Sequence, residues 1–150
     1  MTVTEINYYD PVFTIGIASE KLGISTHSFR QYENEGLILS YKTKTGRRRY
    51  SQMELDKVKC IKKMIKEQGL NFEGIRQLMA IIPCWKLRKC GTKTMEKCRF
   101  YENRLRPCWS TEEKCSNPLP DCRDCDVYRK LISCEDIKKL IYDINLKEIR

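Results

Sequence analysis

Seven cysteines lie between Cys84 and Cys125, in a chain of 150 residues that has nine in all. Thiolates bind soft and borderline cations, so Cys84, Cys90, Cys98, Cys108, Cys115, Cys122 and Cys125 are candidate ligands for zinc or for an iron-sulfur cluster. Cys122-Arg-Asp-Cys125 has the two-residue gap that lets neighbouring thiolates grip one centre. The surrounding segment has few apolar residues, and a segment that cannot bury enough surface needs a metal or a crosslink to fold. Lys89, Lys97, Lys114 and Arg123 flank the cysteines and would favour their ionised form. In a secreted protein such a set would read as a disulfide framework. The first residues, MTVTEINYYD, lack the basic-then-apolar pattern of a secretory signal, and no run approaches the roughly 18 apolar residues of a spanning helix. A cytosolic chain without a membrane partner is expected. A reducing compartment turns the reading toward metal ligation or redox sensing.

The cysteines also repeat. PCWKLRKC at 83–90 is echoed by PCWSTEEKC at 107–115, and CRFY at 98–101 by CDVY at 125–128. The separation from Cys84 to Cys98 equals that from Cys108 to Cys122, whereas the tyrosine offset aligns Cys98 with Cys125. Either Cys122 or Cys125 is therefore the additional one. Trp85 and Trp109 are expected to pack against the site rather than to react. Cys60 reads as a small core residue and Cys134 as a spare or distant ligand.

These residues must be carried by something, and the rest of the chain supplies a different chemistry. The formal net charge is +9 and the isoelectric point is near 9.1, which suits an anionic partner such as nucleic acid. Ile15, Ala18 and Leu22 share a helical face that Gly23 ends; Thr26 or Ser25 caps a second helix carrying Phe29 and Tyr32, closed by Gly36. Helix, short glycine-containing turn and helix make a helix-turn-helix. SYKTKTGRRRYS then reads as a basic hairpin turning at Gly46. Ser51 and Glu54 form a capping box for a third helix with Leu55, Val58, Ile61 or Lys62, and Ile65 in register. Asn71 caps a fourth with Ile75, Leu78 and Met79, and Pro83 marks the boundary of the cysteine segment.

A helix-turn-helix sets its second helix in the major groove, where Thr26, His27 and Arg30 would reach base edges. Arg30 could grip a guanine edge or hold a phosphate. Arg47, Arg48 and Arg49, with Lys42, are better phosphate clamps than readers.

The run from Phe13 to Met79 resembles the MerR family of bacterial transcriptional regulators. The matching motifs are FTIGIASEKLGIS, FRQYENEGLI, GRRRYS and NFEGIRQLM after QGL. That resemblance implies DNA contacts from Arg30, Tyr32, Arg48, Arg49 and Tyr50, mostly to phosphates. Gln31 stands where the family often has an aromatic residue. The family dimerises through a long helix after its fourth; here that position holds cysteine-rich sequence, and residues 133–150, with Ile137, Leu140, Ile141 and Ile144 in a heptad-like stripe, are the zipper candidate. The cysteine segment resembles the two-CW domain, which carries no assigned chemistry.

The expectation is a mainly α protein: a winged helix-turn-helix with a small β wing over residues 13–80, an irregular Cys-rich module over 83–129 and a short C-terminal helix over 133–150. Its function is sequence-specific transcriptional regulation, responding to metal, an iron-sulfur cluster or redox state. Its partners are double-stranded DNA, a second copy of the chain and RNA polymerase. The competing reading makes the cysteine module a zinc-stapled scaffold or docking surface. An enzymatic thiol-disulfide role lacks the strand-helix-strand unit that it needs, and none is expected.

Overall fold

The computed structural model describes residues 5–102, 106–112 and 115–130, together with Lys139, Tyr142 and Asp143. The zipper candidate at 133–150 lies otherwise outside the described residues. Two compact units divide the chain, Met1–Lys59 and Cys60–Arg150.

In the first unit, helix α1 (Ile15–Leu22) starts where the Thr14 hydroxyl accepts the Ile17 amide and stops at Gly23, whose φ of 63° only glycine adopts without strain. Helix α2 (Thr26–Asn34) is capped by Ser25 rather than Thr26: the Ser25 hydroxyl accepts the Ser28 amide at 3.0 Å. Phe29 and Tyr32 are buried, as their three-residue spacing requires. Strands β1 (Tyr41–Lys42) and β2 (Arg48–Arg49) pair antiparallel, Tyr41 opposite Arg49 and Lys42 opposite Arg48. The turn between them is closed by the Gly46 amide donating to the Thr43 carbonyl at 2.9 Å, with Gly46 at φ 80°. Phe13 and Tyr50 exchange both backbone hydrogen bonds at 2.9 Å, which ties the entry of α1 to the exit of the hairpin.

Helix α3 (Gln52–Gln68) opens on the expected capping box, the Ser51 amide donating to Glu54 Oε2 at 2.8 Å. Along it the buried apolar positions are Met53, Leu55, Val58, Ile61 and Met64. Ile61, not Lys62, and Met64, not Ile65, thus complete the inward face, which runs in three-residue steps from Leu55 through Val58 and Ile61 to Met64.

In the second unit, helix α4 (Phe72–Ala80) is capped by Asn71, whose side-chain oxygen accepts the Gly74 amide at 2.8 Å. Pro83 begins the next short helix. The cysteine segment consists of short turns: α5 (Cys84–Leu87), α6 (Thr92–Glu96), α7 (Arg99–Glu102), 3-10 turns at Cys108–Ser110 and Cys122–Asp124, and α8 (Asp126–Lys130). Phe100, Trp109, Val127 and Tyr128 are buried within it, as is the charged Arg123. No described helix is long and apolar enough to cross a membrane.

Candidate nucleic-acid interface and thiol cluster

Thr26, His27 and Arg30 all lie exposed along α2, and Lys42, Arg47 and Arg48 lie exposed on the hairpin, with Arg49 half-buried. Arg30, Lys42, Arg47, Arg48 and Arg49 line one cleft of about 450 Å³, whose remaining walls are Thr14, Ile15, Gly46 and Tyr50. No acid is among those lining residues. Thr14 and Ile15 bring the start of α1 to the same cleft, where the unpaired amides of a helix's first turn favour an anion. Lys42 directly opposite Arg48 is a like-charge pair across the hairpin, which costs stability until an anion neutralises it.

The two tyrosines take a different position from the one the resemblance implies for direct contacts. Tyr50 is fully buried, its ring edge-on to Phe29 at 4.7 Å, and Tyr32 is 8% exposed. The Tyr50 hydroxyl donates to Glu33 Oε2 at 2.9 Å. Burial, the Glu33 hydrogen bond and the Glu33 charge, in that order, hold its hydroxyl well above the ordinary phenol range. Tyr50 lies in the wall of the cleft and is linked to Arg48 through Glu33.

Glu33, which sequence reasoning passed over, is the junction. Its carboxylate accepts Ser40 Oγ at 2.5 Å and the Tyr50 hydroxyl, and pairs with Arg48 Nη1 at 3.5 Å. One side chain on α2 therefore ties that helix to the hairpin that follows it. Its only signal in the sequence is an acid facing a basic run 15 residues on. Glu33→Ala leaves the buried Tyr50 hydroxyl without its acceptor and should cost about 1–3 kcal/mol in urea unfolding. Glu33→Gln keeps an acceptor oxygen for one of the two hydroxyls, offers the other an N–H that its oxygen can accept, and should cost less than half as much; equal losses would place the effect in the Arg48 pair instead.

In the second unit the cysteines gather. Cys84, Cys90, Cys98, Cys108, Cys115 and Cys125, all half-buried, line one cavity of about 30 Å³. Cys122 is exposed and lines only a neighbouring, larger cleft, together with Cys108, Cys115 and Cys125. Among the described residues no group of three or more histidine, cysteine, aspartate and glutamate side chains is placed so as to hold a metal ion as it stands. Burial first, then the neighbouring Cys84, Cys115, Cys125 and Cys122, push the Cys108 thiol up to about 12. Burial works in the same direction on Cys98, but hydrogen bonds from the Ser116 side chain and from the Phe100, Ser116 and Tyr101 amides bring that thiol below the ordinary range. Cys60 is half-buried and disulfide-bonded rather than a core thiol.

The tryptophans resolve the repeat. Trp85 meets Tyr101 edge-on at 5.1 Å and 84°, and Trp109 meets Tyr128 edge-on at 5.3 Å and 80°. Each repeat thus packs its own Trp against its own Tyr, and each Tyr follows a cysteine by three residues. Cys98 corresponds to Cys125, and Cys122 is the additional cysteine.

Residues 13–81 match the MerR HTH family regulatory protein family. Over 69 residues the chain is 38% identical to the HTH-type transcriptional regulator GlnR of Bacillus anthracis, covering 46% of this chain and 53% of that protein. Over 71 residues it is 35% identical to the mercuric resistance operon regulatory protein of Bacillus cereus, covering 47% and 53% respectively. The chain spans about half the length of the curated relatives it matches. The matched span takes in α1, α2, the hairpin, α3 and α4, and so the whole cationic cleft. Residues 13–81 of this chain are a MerR-family helix-turn-helix domain.

Proposed function

We propose that the chain is a transcriptional regulator that binds a specific double-stranded DNA site as a homodimer and acts through RNA polymerase. The observation that carries this reading is the cleft formed by α2 and the hairpin, lined by five cationic side chains and no acid. Thr26, His27 and Arg30 stand on the exposed face of α2 for base edges, and Lys42 and the three hairpin arginines stand beside them for phosphates. A helix-turn-helix with one wing covers few phosphates, and two symmetric half-sites multiply its affinity.

The cysteine module gives such a regulator something to respond to. Its thiols would ligate zinc or an iron-sulfur cluster as thiolates, which would crosslink its short turns, or would oxidise. The reading of the module as a sensor is supported by the six thiols that line one cavity in the segment directly following the matched domain. The test is the affinity of the full chain for its selected operator when reduced and zinc-loaded, when chelated, and when oxidised. A coupled module changes affinity by about 5- to 150-fold between states. Equal affinities in all three would leave the DNA-binding reading standing and make the module a scaffold.

A further inference from the structure

Thr26, Arg30 and Glu33 follow one another on α2 at the four- and three-residue spacing that puts side chains on one stripe of a helix. The first two are exposed, free to meet base edges, and the third turns to the hairpin. We propose that Glu33 is a positioning residue that sets DNA specificity: it holds the hairpin in register with the reading stripe of α2, so that base contacts and phosphate clamps form together. This rests on the reading of the cleft as a DNA interface and assigns the residue that makes that interface discriminating.

The Glu33 carboxylate reaches both ends of the hairpin. Its Oε1 accepts the Ser40 hydroxyl at 2.5 Å, immediately before β1, and its Oε2 accepts the Tyr50 hydroxyl at 2.9 Å, immediately after β2. Arg48 Nη1, on β2 itself, lies 3.5 Å from the same Oε2. The Glu33 side chain is 14% exposed, so these bonds are largely sheltered from water. With two residues in each strand, the hairpin has too little pairing to keep a fixed orientation by itself. Phe29 on α2 also meets Tyr50, ring to ring at 4.7 Å, but at one end of the hairpin.

Register matters to specific binding and hardly at all to non-specific binding. Phosphates recur along the whole duplex, so Lys42, Arg47, Arg48 and Arg49 find partners on any sequence, whatever the angle of the hairpin to α2. Base-edge hydrogen bonds form over a narrow range of distance and angle, and the phosphate contacts set where the reading helix lies. A hairpin free to shift by about 1 Å therefore keeps its phosphates while Thr26, His27 and Arg30 lose their bases. The charge of Glu33 acts separately. Next to Arg48 and Tyr50 of the cationic cleft, it weakens binding to every duplex alike and cancels when two duplexes are compared.

The experiment measures fluorescence anisotropy of the full chain with an operator selected in vitro by the wild type and with a scrambled duplex, across a salt series. The readout is the ratio of the two affinities. Two variants break the tie from opposite sides: Glu33→Ala, and Ser40→Ala combined with Tyr50→Phe. The combined variant keeps every cation and the Glu33 charge and leaves neither hydroxyl unpaired, so it decides the matter if Glu33→Ala proves too unstable to bind. Both should lower the ratio by roughly 5- to 150-fold, the worth of one good base contact. The salt slope on the scrambled duplex should stay at its wild-type value, because no phosphate contact is removed. An unchanged ratio in the combined variant overturns the positioning role. So does a ratio that falls only together with the slope, which would make Glu33 a support of the phosphate clamps. Wild-type chain that binds both duplexes equally would overturn the DNA-reading assignment itself, and the inference with it.

Discussion

Replacing Arg48 and Arg49 by alanine should lower affinity for duplex DNA by roughly 60-fold per half-site in about 0.1 M salt, and by the same factor for any sequence. Each phosphate contact adds a slope of about 0.9 to the dependence of log affinity on log salt. Two lost contacts flatten it by about 1.8, and the counterion-release term grows over the one decade from about 1 M to 0.1 M. The substitutions should not unfold the domain. Arg48 is about half exposed, and its 3.5 Å pairing with Glu33 is long for a salt bridge and open to solvent, so its loss costs little. The same looseness lets Arg48 leave Glu33 for a phosphate. Removal of the Lys42–Arg48 repulsion across the hairpin offsets part of what is lost. The measurement is fluorescence anisotropy with operator and scrambled duplexes across a salt series. Wild-type slope in the double variant would remove the hairpin from the interface. Arg30→Ala separates the two roles left open for that residue: a loss confined to operator DNA, about 1–3 kcal/mol, marks base reading, and an equal loss on both duplexes marks a phosphate contact.

What could be read directly from the residues was local. Ser51 with Glu54, Asn71, and the glycines at 23, 36, 46 and 69 act within a few positions of themselves, and all four glycines take positive φ. Their chemistry dictates one local geometry whatever surrounds them. The contacts that assemble the cleft are of another kind. Glu33 meets a partner 17 residues later, and nothing local to Tyr50 distinguishes a ring that reaches DNA from one that holds the hairpin onto Phe29. The cysteine repeat was visible as spacing, but the two spacings disagreed about Cys122 and Cys125. Only the Trp–Tyr pairs, which close over 16 residues in one repeat and 19 in the other, decide between them. An insertion in a segment of four- and five-residue helices shifts no helical face, so periodicity carries no record of it.

Lys57 should make the stability of the protein rise with pH over a range where most proteins are flat. It is 1% exposed on α3, and burial first, opposed by the nearby Glu54 carboxylate, lowers its ammonium to about 7. The unfolded chain holds that proton up to the ordinary lysine value of 10.5. Between those limits the unfolded state binds more protons than the folded one, so unfolding free energy increases with pH by at most roughly 1.4 kcal/mol per unit. Below pH 7 both states are protonated and the full cost is present; above 10.5 it has vanished. Three other groups act in the opposite direction at the alkaline end. The raised Cys108 thiol and the raised Tyr8 and Tyr50 hydroxyls keep protons that the unfolded chain gives up, and so lower stability above about pH 9 to 10. Between pH 7 and 9 the lowered Cys98 thiol adds a rise of the same sign, so the Lys57 contribution is the difference between two chains. Thermal or urea unfolding of the reduced full chain across that interval should show stability climbing more steeply in the wild type than in Lys57→Met, which keeps the aliphatic stem and removes the charge. Parallel profiles for the two chains would mean that the Lys57 proton is held equally well in both states, and that Glu54 fully compensates its burial.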